Sequence, residues 1–166
     1  MNVVDNFLNP DDFKKIQTIL TGPSFPWFLN KGKVDQETDK KNMFQFTHTF
    51  WDNNLGGQTS DLLFELEPLI NKIDPSKIYR IKANLTTVTD DILIYGYHTD
   101  YQESFKCTTS VFYVNTNNGF TIFEDGEKVY SLENRFASFD STMPHSGSSC
   151  TDKNFRCVIN INYDPE

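Results

Sequence analysis

Cationic residues are scarce in this chain. Fifteen Lys and Arg stand against 23 Asp and Glu in 166 residues, a net charge of −8. Binding a nucleic-acid backbone needs clustered cations, so that class of partner is disfavoured. Long apolar runs are missing too. Nothing approaches the roughly eighteen apolar residues that cross a bilayer, and no membrane partner is expected. The stretch Met1-Asn2-Val3-Val4-Asp5 has no basic region leading into an apolar run, so no secretory signal is read there. Cysteine is sparse: Cys107, Cys150 and Cys157 stand alone, and none forms a C-x-x-C pair. An odd count without a secretory signal points to reduced, buried thiols in a cytoplasm, and away from a structural zinc site. Repeats and low-complexity segments are also lacking. What is there, 37% apolar and 14% aromatic residues, is a globular composition of a size for one domain over 1–166.

The front of the chain is helical in pattern. Asn9 suits a helix N-cap, Pro10 the first helical position, and Asp11 and Asp12 the positive helix end. Phe13, Ile16 and Leu20 then share one face, and Gly22 stops the run. An aromatic stretch, Phe25-Pro26-Trp27-Phe28, and a charged, mobile loop over 31–41 follow. Residues 44–51 alternate in the manner of a strand. A second amphipathic helix is predicted over 61–73, kinked or shortened by Pro68. From residue 78 onward the character changes to short β-branched and aromatic runs. Strands are predicted over 78–87, 106–115, 119–123, 127–131, 135–139 and 156–163, with Asn118-Gly119 and Asp125-Gly126 as tight turns. Helices first and strands last give an α+β chain: helical support over about 1–77, buttressing one sheet of a sandwich or jelly roll over about 78–163.

Only three histidines exist, His48, His98 and His145. In His98-Thr99-Asp100 an imidazole and a carboxylate stand two residues apart, on the same side of an extended chain. His145 comes later, after Pro144 in a Ser- and Gly-rich stretch, where a jelly roll can fold it back onto that pair. Two imidazoles and one carboxylate on one face of an octahedron leave three positions open, the facial triad of non-haem Fe(II) sites. Arg156 opens the last predicted strand. Inside a barrel it needs an anionic partner, which a dicarboxylate supplies through a bidentate fork. At a strand start it also reads as an ordinary surface arginine.

The ordered set His98-x-Asp100, His145, Arg156 resembles the Fe(II)/2-oxoglutarate-dependent dioxygenases, in particular the prolyl-4-hydroxylase-like branch, over about 78–163. The texture of Thr109-Ser110-Val111-Phe112-Tyr113-Val114-Asn115, of Phe123-Glu124-Asp125-Gly126 and of Asn134-Arg135-Phe136-Ala137-Ser138-Phe139-Asp140 is similar to strands of that branch. With Phe25-Pro26-Trp27 and Arg80-Ile81-Lys82-Ala83-Asn84-Leu85, the whole chain resembles small phage-encoded members, which implies a bacterial or phage-infected cytoplasm.

The resemblance implies a double-stranded β-helix (jelly-roll, cupin-like) core with N-terminal supporting helices. It implies Fe(II) held by His98, Asp100 and His145, with 2-oxoglutarate and O2 as cosubstrates and ascorbate as a possible reductant. Arg156 corresponds to the residue on the distal carboxylate of 2-oxoglutarate, and Tyr113 to a tyrosine that helps it; a core aromatic is the other reading of Tyr113. The implied reaction hydroxylates a substrate with release of succinate and CO2. The texture leans toward a prolyl or other peptidyl residue. Asp100 where halogenating relatives lack a carboxylate disfavours halogenation. Arg135 is expected in a cross-strand salt bridge, His48 in a structural role, and Arg80 and Asn84 are candidates for the cleft. The loops over 31–41 and 52–59 are the candidates for choosing substrate. Two other readings fit: a cupin-like metalloprotein that does not use 2-oxoglutarate, and a non-catalytic jelly-roll binding module. Oligomeric state is not legible.

Overall fold

A computed structural model describes residues 1–32, 43–101 and 105–165. Most of the charged loop expected over 31–41 lies outside the described residues. The strands are β1 (Asn2–Val4), β2 (Phe28–Asn30), β3 (Gln45–Asp52), β4 (Gly57–Gln58), β5 (Pro75–Thr87), β6 (Thr108–Tyr113), β7 (Phe120–Phe123), β8 (Lys128–Tyr130), β9 (Arg135–Asp140), β10 (His145–Gly147) and β11 (Phe155–Pro165). Two α-helices, α1 (Pro10–Leu20) and α2 (Glu67–Ile73), lie among the early strands. None is long and apolar enough to cross a membrane among the described residues.

Helix α1 starts where its capping residues require. The Asn9 side chain accepts the Asp12 N–H at 3.0 Å, and Pro10 occupies the first turn where no partner for its missing N–H is needed. Phe13, Ile16 and Leu20 are buried. The second helix differs from expectation. Residues Asp61–Leu66 form a 3-10 helix, and the α-helix begins only at Glu67, with Pro68 in its first turn. A proline at that position would collide with the carbonyl four residues back in a continuous α-helix, so the chain winds tighter before it.

Eight antiparallel strands form the larger sheet, in the order β1-β9-β6-β11-β5-β3-β2 with β4 on β3; three form the smaller one, β10-β7-β8. The large sheet has two unlike faces because side chains alternate along each strand. On β11, Cys157, Ile159 and Ile161 pack with Ile81, Phe112, Phe136 and the apolar sides of the helices, including Ile16 and Leu69, into one core. The opposite face of the sheet looks toward the smaller sheet. There Val111, Tyr113, Ala137, Phe139 and Val158 meet Phe123 and Val129 in a second, smaller cluster. The result is an α+β jelly roll, a double-stranded β-helix with its helices on one outer face.

The Asp125-Gly126 turn is a hairpin between β7 and β8, with Gly126 at φ 88°. Asn118-Gly119 is not a hairpin. It links β6 in the large sheet to β7 in the small one, and Gly119 does not adopt a positive φ. The strands β1, β2, β4 and β10 had no clear alternation to announce them; each is two or three residues long.

Candidate functional site

His98 and Asp100 sit between β5 and β6, outside regular strands. Backbone bonds place them. His98 forms a single antiparallel bridge with His145 at the start of β10, with N–H to O distances of 3.0 and 2.9 Å in the two directions. The Asp100 N–H donates to Ser141 O at 3.1 Å. The two imidazole rings thus face each other, centroids 4.6 Å apart. One ligand atom from each of His98, Asp100 and His145 lies within 4.8 Å of the others.

Asp100 is mostly covered, yet its carboxyl is held below the ordinary value of 3.8. Burial, the largest influence, opposes ionisation, but the Arg80 guanidinium with the Thr109 and Asn162 hydrogen bonds outweighs it. Arg80 Nη2 donates to Oδ1 at 3.0 Å, while Thr109 Oγ1 and Asn162 Nδ2 donate to Oδ2 at 2.7 and 2.9 Å. Arg80 Nε in turn holds Asn162 Oδ1 at 3.1 Å. The carboxylate is therefore ionised and oriented before any cation arrives. His145 Nδ1 lies 2.9 Å from Met143 O. A carbonyl can only accept, so the proton is on Nδ1, and Nε2 keeps a lone pair for a metal. Burial, first of all, holds His145 below its ordinary 6.5 and hence neutral. His98 Nδ1 is buried with no hydrogen-bond partner among the described residues. Two imidazoles, one of them with an orphaned ring nitrogen, and one fixed carboxylate fit a divalent cation such as Fe(II).

The triad opens onto a cavity of about 250 Å³ between the sheets. Arg156 of β11 lies at the far end, only 5% exposed. Its Nε donates to Ser131 Oγ at 2.8 Å and Nη2 to Thr121 Oγ1 at 3.2 Å. No carboxylate pairs with it among the described residues. A buried guanidinium in that state is costly unless a ligand supplies the anion. Gly119 makes room for it: a Cβ there would lie 2.7 Å from Arg156 Cδ.

Tyr113 does not line the cavity. Its hydroxyl donates to Thr121 Oγ1 at 2.8 Å, and its ring lies beneath the Arg156 guanidinium, 5.6 Å from centroid to Cζ. It stands one layer behind Thr121, which receives both the tyrosine and the arginine. Thr121 then keeps its own O–H to donate into the cavity. Arg80 and Asn84 do line the cavity, and so do Lys82 and Asn160, which the sequence reading passed over. The alternation was there to be read. Arg80, Lys82, Asn84 and Thr86 occupy every second position of β5, polar where a two-sided core strand would be apolar.

Two other residues lie away from the cavity. Arg135 forms a bidentate pair with Asp5, at 2.6 and 3.0 Å, which ties β9 to the residue after β1. His48 is wedged among aromatic rings and bonds Pro26 O and Ser60 Oγ, each at 2.8 Å. Both roles are structural. All three cysteines are buried thiols.

No family model matches the chain, and no curated protein does. Solved structures do. An oxidoreductase of the 2OG-Fe(II) oxygenase family from Burkholderia pseudomallei superposes with a TM-score of 0.65 at 11% identity, covering 97% of this chain and 82% of that one. A prolyl hydroxylase from Trichoplax adhaerens, solved with a hypoxia-inducible-factor peptide fragment, gives 0.62 at 15%, covering 98% and 83%. The non-haem α-ketoglutarate-dependent epimerase SnoN of nogalamycin biosynthesis gives 0.64 at 12%, covering 98% and 79%. At such identities the likeness is one of fold, the jelly roll that this chain shares with those three proteins.

Proposed function

We propose that the chain is an Fe(II)- and 2-oxoglutarate-dependent oxygenase that hydroxylates its substrate and releases succinate and CO2. One observation carries the reading: the His98, Asp100 and His145 ligand atoms, within 4.8 Å of one another, share a cavity with the buried Arg156, which has no acidic partner among the described residues. A cupin-like metalloprotein without the cosubstrate has no use for that arginine.

His98, Asp100 and His145 hold the iron. Iron with 2-oxoglutarate supplies the activation of O2 that no side chain performs. The protein's own part is positional. Arg80, Thr109 and Asn162 fix Asp100, and Met143 O fixes the His145 tautomer. Arg156, with the Thr121 hydroxyl beside it, takes the distal carboxylate through charge-assisted hydrogen bonds. Tyr113 acts through Thr121 as a positioning residue. Val111 and Val158 supply apolar wall between the polar ends. The chain acts as one unit over 1–166, since the helices pack on the back of the sheet whose front bears Arg156.

The test is succinate release from 2-oxoglutarate with Fe(II) and ascorbate, without added substrate, backed by titration of 2-oxoglutarate into the Mn(II) form. His98→Ala should abolish iron-dependent succinate. Arg156→Ala should weaken 2-oxoglutarate binding about 10- to 100-fold, the worth of one or two charged hydrogen bonds. Absence of metal-dependent 2-oxoglutarate binding by the wild type would overturn the assignment.

A further inference from the structure

Charge in the cleft does not balance. Among the described residues its lining carries the cations Arg80, Lys82 and Arg156 and a single carboxylate, Asp100. Arg80 is engaged by Asp100, Nη2 to Oδ1 at 3.0 Å. A divalent metal ion and a dianionic cosubstrate cancel each other. Counted over the described lining, the loaded cleft therefore keeps two uncompensated positive charges, in a chain whose net charge is −8. The Lys82 ammonium has no hydrogen bond or ion pair among the described residues, and burial, with Arg80 nearby, pushes it down from the usual 10.5 against the opposing pull of the more distant Asp100 and Asp52 carboxylates. A cation in that position calls for an anionic ligand.

The strand register separates this lysine from the cosubstrate's anchor. Across β5 and β11, Lys82 pairs with Asn160, and Thr86 pairs with Arg156, so Lys82 and Arg156 stand four residues apart along the sheet. That is about 13 Å of strand. In the proposed function both carboxylates of 2-oxoglutarate are already committed, one to the metal and one to Arg156. Lys82 instead lies two residues along the sheet from the Arg80–Asn162 pair, two of the three residues that hold Asp100. It is on the metal side of the cavity, where a reacting carbon has to be. A second observation points to the same level. Asn160 Oδ1 is buried with no hydrogen-bond partner among the described residues, so whatever occupies that place must bring a donor, such as a hydroxyl or amino group carried beside the carboxylate. Gln45 and Asn84 extend the polar wall. The cavity, about 250 Å³, suits a small molecule, since sites for drug-sized ligands begin near ~300 Å³.

We propose that Lys82 is a second anion-binding point of this cleft, distinct from Arg156, and that it holds the carboxylate of the primary substrate, a small organic acid. The inference rests on the oxygenase reading for the identity of the cosubstrate, but not for the anion site. It differs from the lean toward a prolyl or other peptidyl residue, since a prolyl residue within a peptide does not itself bring a negative charge to that level.

Protein loaded with Zn(II) and 2-oxoglutarate is titrated with sodium acetate at constant ionic strength, acetamide serving as the uncharged control, and amide shifts are followed by NMR. Acetate should give saturable shifts at Lys82 and Asn160 while 2-oxoglutarate stays bound, and acetamide should not. Lys82→Met should weaken acetate at least about tenfold and leave the 2-oxoglutarate Kd within about twofold of wild type, which also reports a folded cleft. Lys82→Arg should restore acetate binding. Displacement of 2-oxoglutarate by acetate would assign Lys82 to the cosubstrate and overturn the proposal. So would the lack of a saturable shift at Lys82, or a loss of 2-oxoglutarate affinity in Lys82→Met as large as in Arg156→Ala. If the wild type fails to bind 2-oxoglutarate at all, the proposed function falls, and acetate titrated into the metal-loaded protein alone then decides Lys82 by the same shifts.

Discussion

Burial acts alike on Asp100 and His145, disfavouring the charged form of each, but the neighbours decide the outcome. Asp100 is ionised because Arg80, Thr109 and Asn162 give it donors; His145 stays neutral because burial outweighs the Met143 carbonyl and the Asp100 carboxylate, which favour its protonated form. This has a measurable sign. In the unfolded chain an imidazole takes a proton as pH falls through its ordinary 6.5; in the fold His145 resists until lower pH. Between those values the unfolded state binds more protons, so stability present above pH 6.5 is lost as pH falls toward the folded value. Metal-free protein should show a urea midpoint that drops on acidification below pH 6.5, and His145→Gln should flatten that segment. An unchanged slope in the variant would remove His145 as the cause. Bound metal should push the window lower, because a cation on Nε2 competes with the proton.

At the scale of elements, the link between β6 and β7 matters most for the cleft. It crosses from the large sheet to the small one and passes directly under the arginine. A Cβ on Gly119 would stand 2.6 Å from Ser149 O and 2.7 Å from Arg156 Cδ. The first contact is with backbone and cannot swing away. Gly119→Ala should therefore cost about 1–3 kcal/mol of stability, as overpacking does. It should also raise the 2-oxoglutarate Kd by displacing Arg156. Calorimetry and a binding titration on the same variant check both. Lost stability with untouched affinity would mean that the arginine is positioned from elsewhere. The dipeptide Asn118-Gly119 is equally typical of a hairpin, and sequence could not separate the two uses: both demand a small residue, one for its backbone angle and the other for a close approach.

The whole molecule divides its work between the two faces of one sheet. The helix side holds the larger apolar core, and the cavity side holds charges that each need a partner. Changes on the back should alter stability with little effect on the front. Ile16, fully buried against the sheet, is a suitable probe. Ile16→Ala should lower stability by about 2–5 kcal/mol. Below its melting range the 2-oxoglutarate Kd should remain within about twofold of wild type. A large loss of affinity in folded Ile16→Ala would show that the two faces are coupled through the strands.

Local chemistry was enough for several features. The Asn9 cap, the Pro10 start and the Phe13-Ile16-Leu20 stripe define α1 from neighbouring residues alone, and short β-branched and aromatic runs identify β5, β6, β9 and β11 as strands because such side chains fit a pleated surface. The pairing of His98 with Asp100 was legible for the same reason, the two being neighbours on one segment. Their meeting with His145 was not, since only the single bridge from His98 to β10 sets it. Nor was the layering at Arg156 legible. Tyr113 and Thr121 lie on different strands, and which of them faces the cavity depends on how the two sheets stack. Lys82 lay in view as one of several alternating polar residues on a strand. That its ammonium has no hydrogen-bond or ion-pair partner among the described residues is a statement about the other side chains around it, and only the tertiary structure brings those side chains together.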